Sequence, residues 1–140
     1  MTISIDTNVI AALWSDRDPF NAAALKILRE SQLQSHRVIA GTVYAELMAG
    51  PLRSEAALDH FLSETGVSVD WVLDEAVWRE AGRAYRGYTQ RRYLSNKTYP
   101  RRMLADFLIG AHAFVRGYAL LTLDKRLYAA AFPKLSIVTA

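Results

Sequence analysis

The sequence predicts an α/β domain in which a mostly parallel sheet is covered by helices on both faces. Short β-branched or apolar runs alternate along the chain with longer segments of helical spacing, and turn residues such as Gly66 separate them. The 140 residues, of which 51% are hydrophobic, suffice for one domain with a sizeable core. We therefore expect a single domain spanning residues 1–140, with right-handed crossovers between its strands.

The individual elements follow from local patterns. Pro19 suits a helix start, Thr42 is placed to cap a short helix, and Gly66 is placed to end a longer one. The predicted strands are 2–5, 37–40, 67–71, 118–122 and 135–138. The predicted helices are 19–33, 42–49, 54–65, 74–92, 104–116 and 124–131, with a basic loop at 95–102. The apolar stretch that ends at Trp14 is assigned to no element.

Composition excludes several classes of protein. The chain has no cysteine, so disulfides and thiolate-ligated metals are impossible. The most apolar stretch, Met103–Val115, is too short to span a membrane and carries Asp106. Asp6 would interrupt the apolar core of a signal peptide, and no basic residue precedes it. We expect a cytoplasmic protein without membrane association.

Positive charge is concentrated between Arg83 and Arg102. This segment holds seven basic residues and no acid, and four tyrosines alternate with them. Arginine and lysine neutralise phosphates, and aromatic rings stack on unpaired bases. The residues proposed to contact RNA are Arg91, Arg92, Lys97, Arg101 and Arg102. The alternative is a solvated helix face with snorkelling tyrosines, whose rings lie along the surface with their hydroxyl groups in water.

Four acidic residues are predicted to meet at one edge of the sheet. Asp6 and Asp124 directly follow the first and fourth strands, where the ligands of parallel sheets bind. Glu46 lies about one turn into the helix after the second strand, and Asp106 lies in the first turn of the helix that leads into the fourth. Each has an ordinary alternative, because Asp6 and Asp124 could cap helices and Glu46 could face solvent.

A bound cation would explain all four acids together. Asp106 lies between apolar triplets, and burying an unpaired carboxylate is costly. Carboxylates brought close together also raise each other's pKa values. A site of carboxylates and water suits Mg²⁺ or Mn²⁺ better than zinc, and such an ion can activate water and stabilise charge on a phosphodiester.

With these residues assembled, the chain resembles the PIN-domain nucleases, and within them the VapC-type toxins of bacterial type II toxin–antitoxin systems. The resemblance spans nearly the whole chain and rests on four motifs in order. They are Ile5-Asp6-Thr7-Asn8-Val9, Val43-Tyr44-Ala45-Glu46-Leu47, Leu104-Ala105-Asp106-Phe107-Leu108-Ile109-Gly110-Ala111 and Leu121-Thr122-Leu123-Asp124-Lys125-Arg126-Leu127. Each motif alone is weak, whereas the ordered set is fairly specific.

The resemblance implies a PIN-like three-layer domain with Mg²⁺- or Mn²⁺-dependent endoribonuclease activity, often on transfer or ribosomal RNA. By motif, Asp6 and Asp106 would be the primary metal ligands, and Glu46 and Asp124 would complete the site directly or through water. Asn8 and Thr122 would support these residues by hydrogen bonds; the alternative roles are a turn amide and a strand-end hydroxyl. The family further implies homodimers and a small VapB-type antitoxin that blocks the active-site groove.

One departure from the family concerns the residues after Asp124. Many relatives carry another acid there, whereas this chain has Lys125-Arg126, which favours one bound ion over two. His112 lies six residues after Asp106, off its helical face, and is expected to be a hydrogen-bonded helix residue rather than a ligand or base. His36 and His60 are expected at the surface.

Other functions fit the sequence less well. A haloacid dehalogenase-type phosphohydrolase would need a second Asp where Asn8 stands. A response-regulator receiver domain would need paired acids near the first strand and a phosphoacceptor Asp after the third strand. Asp70 instead lies within that third strand. The chain has no glycine-rich loop with a lysine, which argues against a nucleotide hydrolase. The closer alternatives are a housekeeping PIN-domain RNA-processing nuclease and a non-catalytic module that binds RNA or an antitoxin.

Overall fold

The computed structural model of the chain describes residues 1–31, 36–50, 54–95 and 103–139. The strands are β1 (Thr2–Ile5), β2 (His36–Ala40), β3 (Val67–Asp70), β4 (Ala119–Leu121) and β5 (Ile137–Val138). The helices are α1 (Thr7–Trp14), α2 (Asn21–Glu30), α3 (Gly41–Met48), α4 (Glu55–Glu64), α5 (Glu75–Leu94), α6 (Leu104–Arg116) and α7 (Lys125–Ala131).

The strands form one parallel sheet in the order β3-β2-β1-β4-β5. The predicted α/β fold class is confirmed, and the sheet is parallel throughout rather than mostly so. The strands are short and apolar because both faces of a parallel sheet are covered by helices. Ile5, Ile39 and Leu120 are fully buried, as this arrangement requires.

The strand order places a switch point between β1 and β4. The chain adds β2 and then β3 on one side of β1, and later adds β4 and β5 on the other side. At such a point the connections leave in opposite directions, which opens a crevice beyond the carboxyl ends of the two central strands. Any site in this fold is therefore expected beyond Ile5 and Leu121.

Most predicted elements are present with small shifts at their ends. The bounds of α6 match the prediction, and α4 has its Ser54 cap, whose Oγ accepts from Ala57 N at 3.1 Å. Gly66 follows α4 with a φ of 68°, a conformation that glycine adopts without strain. His36 and His60 are exposed, as expected.

Four local details differ from the prediction. The apolar stretch that ends at Trp14 is helix α1. It was not assigned from the sequence because its residues are mostly apolar and do not define one buried face. Helix α2 begins at Asn21, since residues 18–20 form the preceding turn. Thr42 does not cap α3, which begins at Gly41 directly after β2 and has no side-chain cap. Trp71 lies outside β3 and is 64% exposed.

The ring of Phe132 packs directly on helix α6 at Gly110. A Cβ atom built on Gly110 of α6 would lie 2.3 Å from the ring of Phe132, which directly follows α7. Only glycine therefore permits this approach. The ring of Phe132 also lies 6.4 Å from that of Phe114, one turn beyond Gly110 on α6. These contacts set which turn of α7 faces which turn of α6.

The other end of α6 is tied to β3 and α5 by an ionic network. His112 is fully buried, and its Nε2 donates to Asp70 Oδ2 at 2.8 Å, which confirms its expected role as a hydrogen-bonded helix residue. Arg116 donates to Asp70 Oδ2 at 3.5 Å, to Asp74 Oδ2 at 3.1 Å and to the Val72 carbonyl at 3.0 Å. Burial raises the pKa of Asp70, but the His112, Val72 N–H and Arg116 contacts outweigh it and hold that pKa below its usual value.

Candidate active site

Asp6 lies at the switch point itself. Its backbone N–H donates to the Leu121 carbonyl at 2.9 Å, which extends the pairing of β1 with β4 by one residue. Its side chain then caps α1, where Oδ1 accepts from Thr7 N at 2.8 Å. The capping role considered from the sequence is therefore real. This cap involves only Oδ1 of the carboxylate, so it does not explain why Oδ2 is also buried.

Asp6 is buried in a position that opposes its charge. The residue is 4% exposed, and this burial raises the pKa of its carboxyl to about 6. Hydrogen bonds from Thr122 and Thr7 act in the opposite direction, and the negative charge of Asp106 raises the pKa further. The ionised form of Asp6 thus lacks a positive partner among the groups that determine its pKa.

Thr122 links Asp6 to the segment that carries Asp124. Its buried hydroxyl donates to Asp6 Oδ2 at 2.8 Å and accepts from Asp124 N at 2.9 Å. Asn8 makes a second link, since its Oδ1 accepts from Leu123 N at 3.1 Å. Both residues thus form hydrogen bonds between the start of α1 and the loop from β4 to α7.

Glu46 reaches the same edge of the sheet from α3. Its Oε1 accepts from the Thr7 hydroxyl at 2.6 Å. Thr7 therefore links Glu46 to Asp6, because its backbone N–H donates to the Asp6 carboxylate. The carboxylate of Glu46 is partly buried rather than facing open solvent. Asp124 Oδ1 accepts from Leu127 N at 3.4 Å and so caps α7, the second capping role considered from the sequence.

Asp106 and Tyr128 complete the surroundings of Asp6. Asp106 is partly buried in the first turn of α6, where the sequence placed it. Tyr128, on α7, is 1% exposed, and burial followed by the charges of Asp6, Asp106 and Asp124 raises the pKa of its hydroxyl. One tyrosine thus lies within the field of three of the four carboxylates. Tyr128 was not selected from the sequence, because an aromatic residue at helical spacing is typical of a core position.

The chemistry of these donors can be compared with the ligands that a divalent cation prefers. Within the described parts of the chain, no three His, Asp or Glu side chains stand close enough to form a ready-made metal site. Mg²⁺ is commonly held by one or two carboxylates and keeps several of its waters, so it does not need one. The donors are all oxygen atoms, and Asp6 is buried beside the like charge of Asp106. These residues therefore suit Mg²⁺ or Mn²⁺.

The predicted RNA-binding segment is only partly described. Arg91 and Arg92 are exposed in the last turn of α5, whereas Lys97, Arg101 and Arg102 lie outside the described residues. The stacking role of the tyrosines was wrong for two of them. Tyr85 stacks on Phe107 at 4.8 Å between ring centroids, and Tyr88 is buried against the same ring. Tyr93 is 88% exposed.

A groove that the sequence did not suggest adjoins Asp124. It is open, has a volume of about 880 Å³, and includes Lys125, Arg126 and Thr139 in its lining. Both basic side chains are exposed at the start of α7. The residues that depart from the family pattern therefore place positive charge beside one of the four carboxylates.

The family of the chain follows from a comparison with family models. The PIN domain model matches residues 3–133, nearly the whole chain and all four acid-bearing motifs. The chain belongs to the PIN domain family. No curated protein matches it in sequence. None of the helices in the described parts of this PIN domain combines the length and apolarity needed to cross a membrane.

Solved structures share the fold of this PIN domain over its full length. VapBC2 from Rickettsia felis, bound to a DNA fragment from its promoter, has a TM-score of 0.71 at 19% identity, covering 99% of this chain and 98% of that one. VapBC-1 from nontypeable Haemophilus influenzae has 0.72 at 21%, with the same coverage. VapC20 from Mycobacterium tuberculosis, a toxin that cleaves the Sarcin-Ricin loop, has 0.65 at 19% and covers 99% of each chain. At these identities the similarity establishes the fold.

Proposed function

We propose that this PIN domain is a metal-dependent endoribonuclease and the toxin of a toxin–antitoxin system. The observation that carries the proposal is the buried Asp6 carboxylate at the switch point, next to the like charge of Asp106. Like charges that lie near each other in a buried position disfavour each other's ionised form. A divalent cation between the two carboxylates would remove this repulsion, which supports a role for Asp6 beyond its cap on α1.

The four carboxylates would hold one Mg²⁺ or Mn²⁺ ion. Asp6 and Asp106 would be its direct ligands, and Glu46 and Asp124 would contact it directly or through water. When bound, such an ion polarises a water molecule and stabilises the charge that develops on a phosphodiester during in-line displacement. The positive side chains at Lys125 and Arg126 favour one ion over two, because they occupy the place where a further acid would lie.

The neighbouring residues keep the carboxylates oriented. Thr122 and the Thr7 N–H each bind one oxygen of Asp6, so its side chain cannot rotate without losing a hydrogen bond. The Thr7 hydroxyl holds Glu46, and Asn8 fixes the loop that precedes Asp124. These contacts preorganise the site, which reduces the cost of ordering it around the substrate.

RNA would approach along the basic surfaces on either side of the carboxylates. The groove beside Asp124 presents Lys125 and Arg126, and the end of α5 presents Arg91 and Arg92. Lys97, Arg101 and Arg102 belong to the same proposal through the sequence alone. Positive charge next to the site would hold phosphates of the strand being cut and would offset repulsion from the carboxylates.

The proposed partner is a VapB-type antitoxin. Its support is the full-length fold similarity to chains in VapBC complexes. We extend the proposal to a cytoplasmic homodimer, as the resemblance to VapC-type toxins implies. Growth arrest on expression, relieved by co-expression of a short neighbouring gene product, would distinguish a toxin from a housekeeping RNA-processing nuclease.

Cleavage of RNA by carboxylate variants tests the catalytic proposal. Asp6→Asn and Asp106→Asn should each lower Mg²⁺-dependent cleavage on the order of 100-fold or more, because each removes a ligand of the ion. Asp16→Asn is the matched control, since Asp16 is exposed between α1 and α2 and should be dispensable. Full cleavage by either site variant would refute the assignment. Binding of RNA without metal-dependent cleavage by the wild type would indicate a non-catalytic module.

A further inference from the structure

The hydroxyl group of Tyr128 is buried without a hydrogen-bond partner among the described residues. The side chain is 1% exposed, and among the described residues its oxygen makes no hydrogen bond of acceptable geometry. A phenol that serves only to fill a core is usually replaced by phenylalanine, because burying an unpaired hydroxyl costs free energy. The orphaned oxygen therefore indicates a hydrogen bond that forms in another state of the site.

The packing of α6 on α7 shows where this hydroxyl lies. Gly110 contacts Phe132, and Phe114 also packs on Phe132, so the two elements run side by side at that level. Asp106 precedes Gly110 by four residues and Tyr128 precedes Phe132 by four, so each lies one helical turn back on the same face. Tyr128 thus faces the first turn of α6, which bears Asp106.

The charges around Tyr128 agree with this placement. Its hydroxyl lies close enough to Asp6 to lower the pKa of that carboxyl, although the geometry falls short of a full hydrogen bond. Asp6 already binds Thr122 and the Thr7 N–H. An ionised carboxylate can accept about four hydrogen bonds, so it has capacity for a further donor.

We propose that Tyr128 is a positioning residue for the cation site, whose hydroxyl donates a hydrogen bond to Asp6 when the ion is bound. This inference rests on the proposed function, since it requires a cation at Asp6. In the bound state Asp6 is fixed as a carboxylate, and a neutral buried donor stabilises that form without competing for the ion. Before the ion binds, the hydroxyl remains unsatisfied.

Mn²⁺ titration of Tyr128→Phe tests the inference. The variant removes one oxygen atom and keeps the buried ring, so its thermal midpoint in chelator should equal or exceed that of the wild type. Its Mn²⁺ dissociation constant, measured by calorimetry, should rise about tenfold. Tyr44→Phe is the matched control, because its hydroxyl binds the exposed Asp59 at 2.7 Å and its loss should leave Mn²⁺ affinity unchanged.

The outcomes separate this inference from the proposed function. If the wild type binds no Mn²⁺, both are wrong. If the wild type and Tyr128→Phe bind Mn²⁺ with the same affinity, only the role of Tyr128 is wrong. A thermal midpoint in chelator that falls well below that of the wild type would also overturn the role, because the hydroxyl would then serve the fold without metal.

Discussion

Thr122 joins two of the acid-bearing segments through one buried hydroxyl group. As donor it binds Asp6 Oδ2, and as acceptor it binds the N–H of Asp124. A hydroxyl can do both at once through a single oxygen atom. The residue therefore fixes the side chain of Asp6 relative to the start of α7.

Replacing Thr122 by valine should loosen this connection. Thr122→Val keeps the side-chain shape but removes both hydrogen bonds, so the free energy of unfolding should fall by about 2 kcal/mol in urea titrations. RNA cleavage should fall roughly 10- to 100-fold, as is usual for groups that orient metal ligands. Thr89→Val is the control, since Thr89 is exposed on α5. Equal effects from the two variants would show that the hydroxyl of Thr122 has no special role.

The pKa of Asp6 gives the metal-free protein a characteristic pH dependence. Burial raises that pKa from 3.8 to about 6, so between these values the folded state holds a proton that the unfolded state has lost. Stability from this group is thus fully present below pH 3.8 and is lost as the pH rises through about 6, by roughly 3 kcal/mol in all. A site built for a cation should show this slope.

The comparison with Asp6→Asn isolates this effect. In chelator, the wild type should lose stability relative to the variant as the pH rises from about 4 to about 6.5. Contributions from Asp70 and Asp74, whose pKa values are lowered mainly by contacts with His112 and Arg116, have the opposite sign but occur in both proteins and cancel. A constant difference in unfolding free energy over this range would contradict the assigned pKa.

At the scale of elements, the site depends on how the Phe132 ring, at the end of α7, packs on α6. Asp106 and Tyr128 lie one turn from the contact between Gly110 and Phe132, so any change in that contact moves them. Added volume in a packed interface is not absorbed without shifts of backbone or side chains. Gly110 thus makes room for the ring of Phe132 rather than providing an unusual backbone conformation.

Gly110→Ala should therefore be destabilising although alanine favours helix. The new Cβ would lie 2.3 Å from the Phe132 ring, and we expect a loss of about 1–3 kcal/mol in unfolding free energy together with weaker Mn²⁺ binding. Gly82→Ala is the matched control, because nothing lies within 4 Å of its added Cβ on α5. That variant should be about 0.5–1 kcal/mol more stable. Stabilisation by both substitutions would rule out the close contact.

The helices and strands differ in how readily the sequence predicts them. Helix α6 was predicted with its observed bounds because it is apolar, lacks internal breakers other than Gly110 and ends before Gly117. Helix α1 was not predicted, because its eight residues follow directly on β1 and show too few polar positions to define a face. The start of α3 was misplaced because this helix also follows directly on a strand, β2, and has no capping side chain to mark its first residue.

At the scale of the whole molecule, charge is divided between the carboxylate edge and the basic surfaces beside it. The net charge is only +3, yet pairs of exposed basic residues lie at the start of α7 and the end of α5. Local fields of this kind attract a polyanion even when the net charge is small. The basic residues that create such fields should therefore make the affinity for RNA depend on salt concentration.

Neutralising the groove should reduce that dependence. In an Asp6→Asn background, which binds without cutting, Lys125→Gln with Arg126→Gln should lower the slope of log affinity against log salt by about 1.4, or about 0.7 for each lost phosphate contact. Fluorescence anisotropy with a single-stranded RNA would measure it. The matched control is Lys26→Gln with Arg29→Gln, two exposed residues on α2. An unchanged slope for the groove variant would place the RNA elsewhere.

The location of the site was more predictable than its detail. Parallel strands deliver Asp6 and Asp124 to one edge, and this rule requires only the order of the elements along the chain. The contact between Thr7 and Glu46 depends on side-chain geometry that spacing does not encode. The position of Tyr128 depends on the packing of α7 against α6, which no local pattern reveals. The stacking role assigned to Tyr85 and Tyr88 was wrong because these rings pack on Phe107.

The location of bound Mn²⁺ would test the central claim most directly. Crystals of the protein soaked in Mn²⁺ should show one anomalous scattering peak within bonding distance of the carboxylates of Asp6 and Asp106, with Glu46 and Asp124 around it. The peak should be absent from Asp6→Asn crystals treated in the same way. A peak at any other place, or none at a concentration that supports cleavage of RNA, would contradict the claim that these carboxylates share a cation.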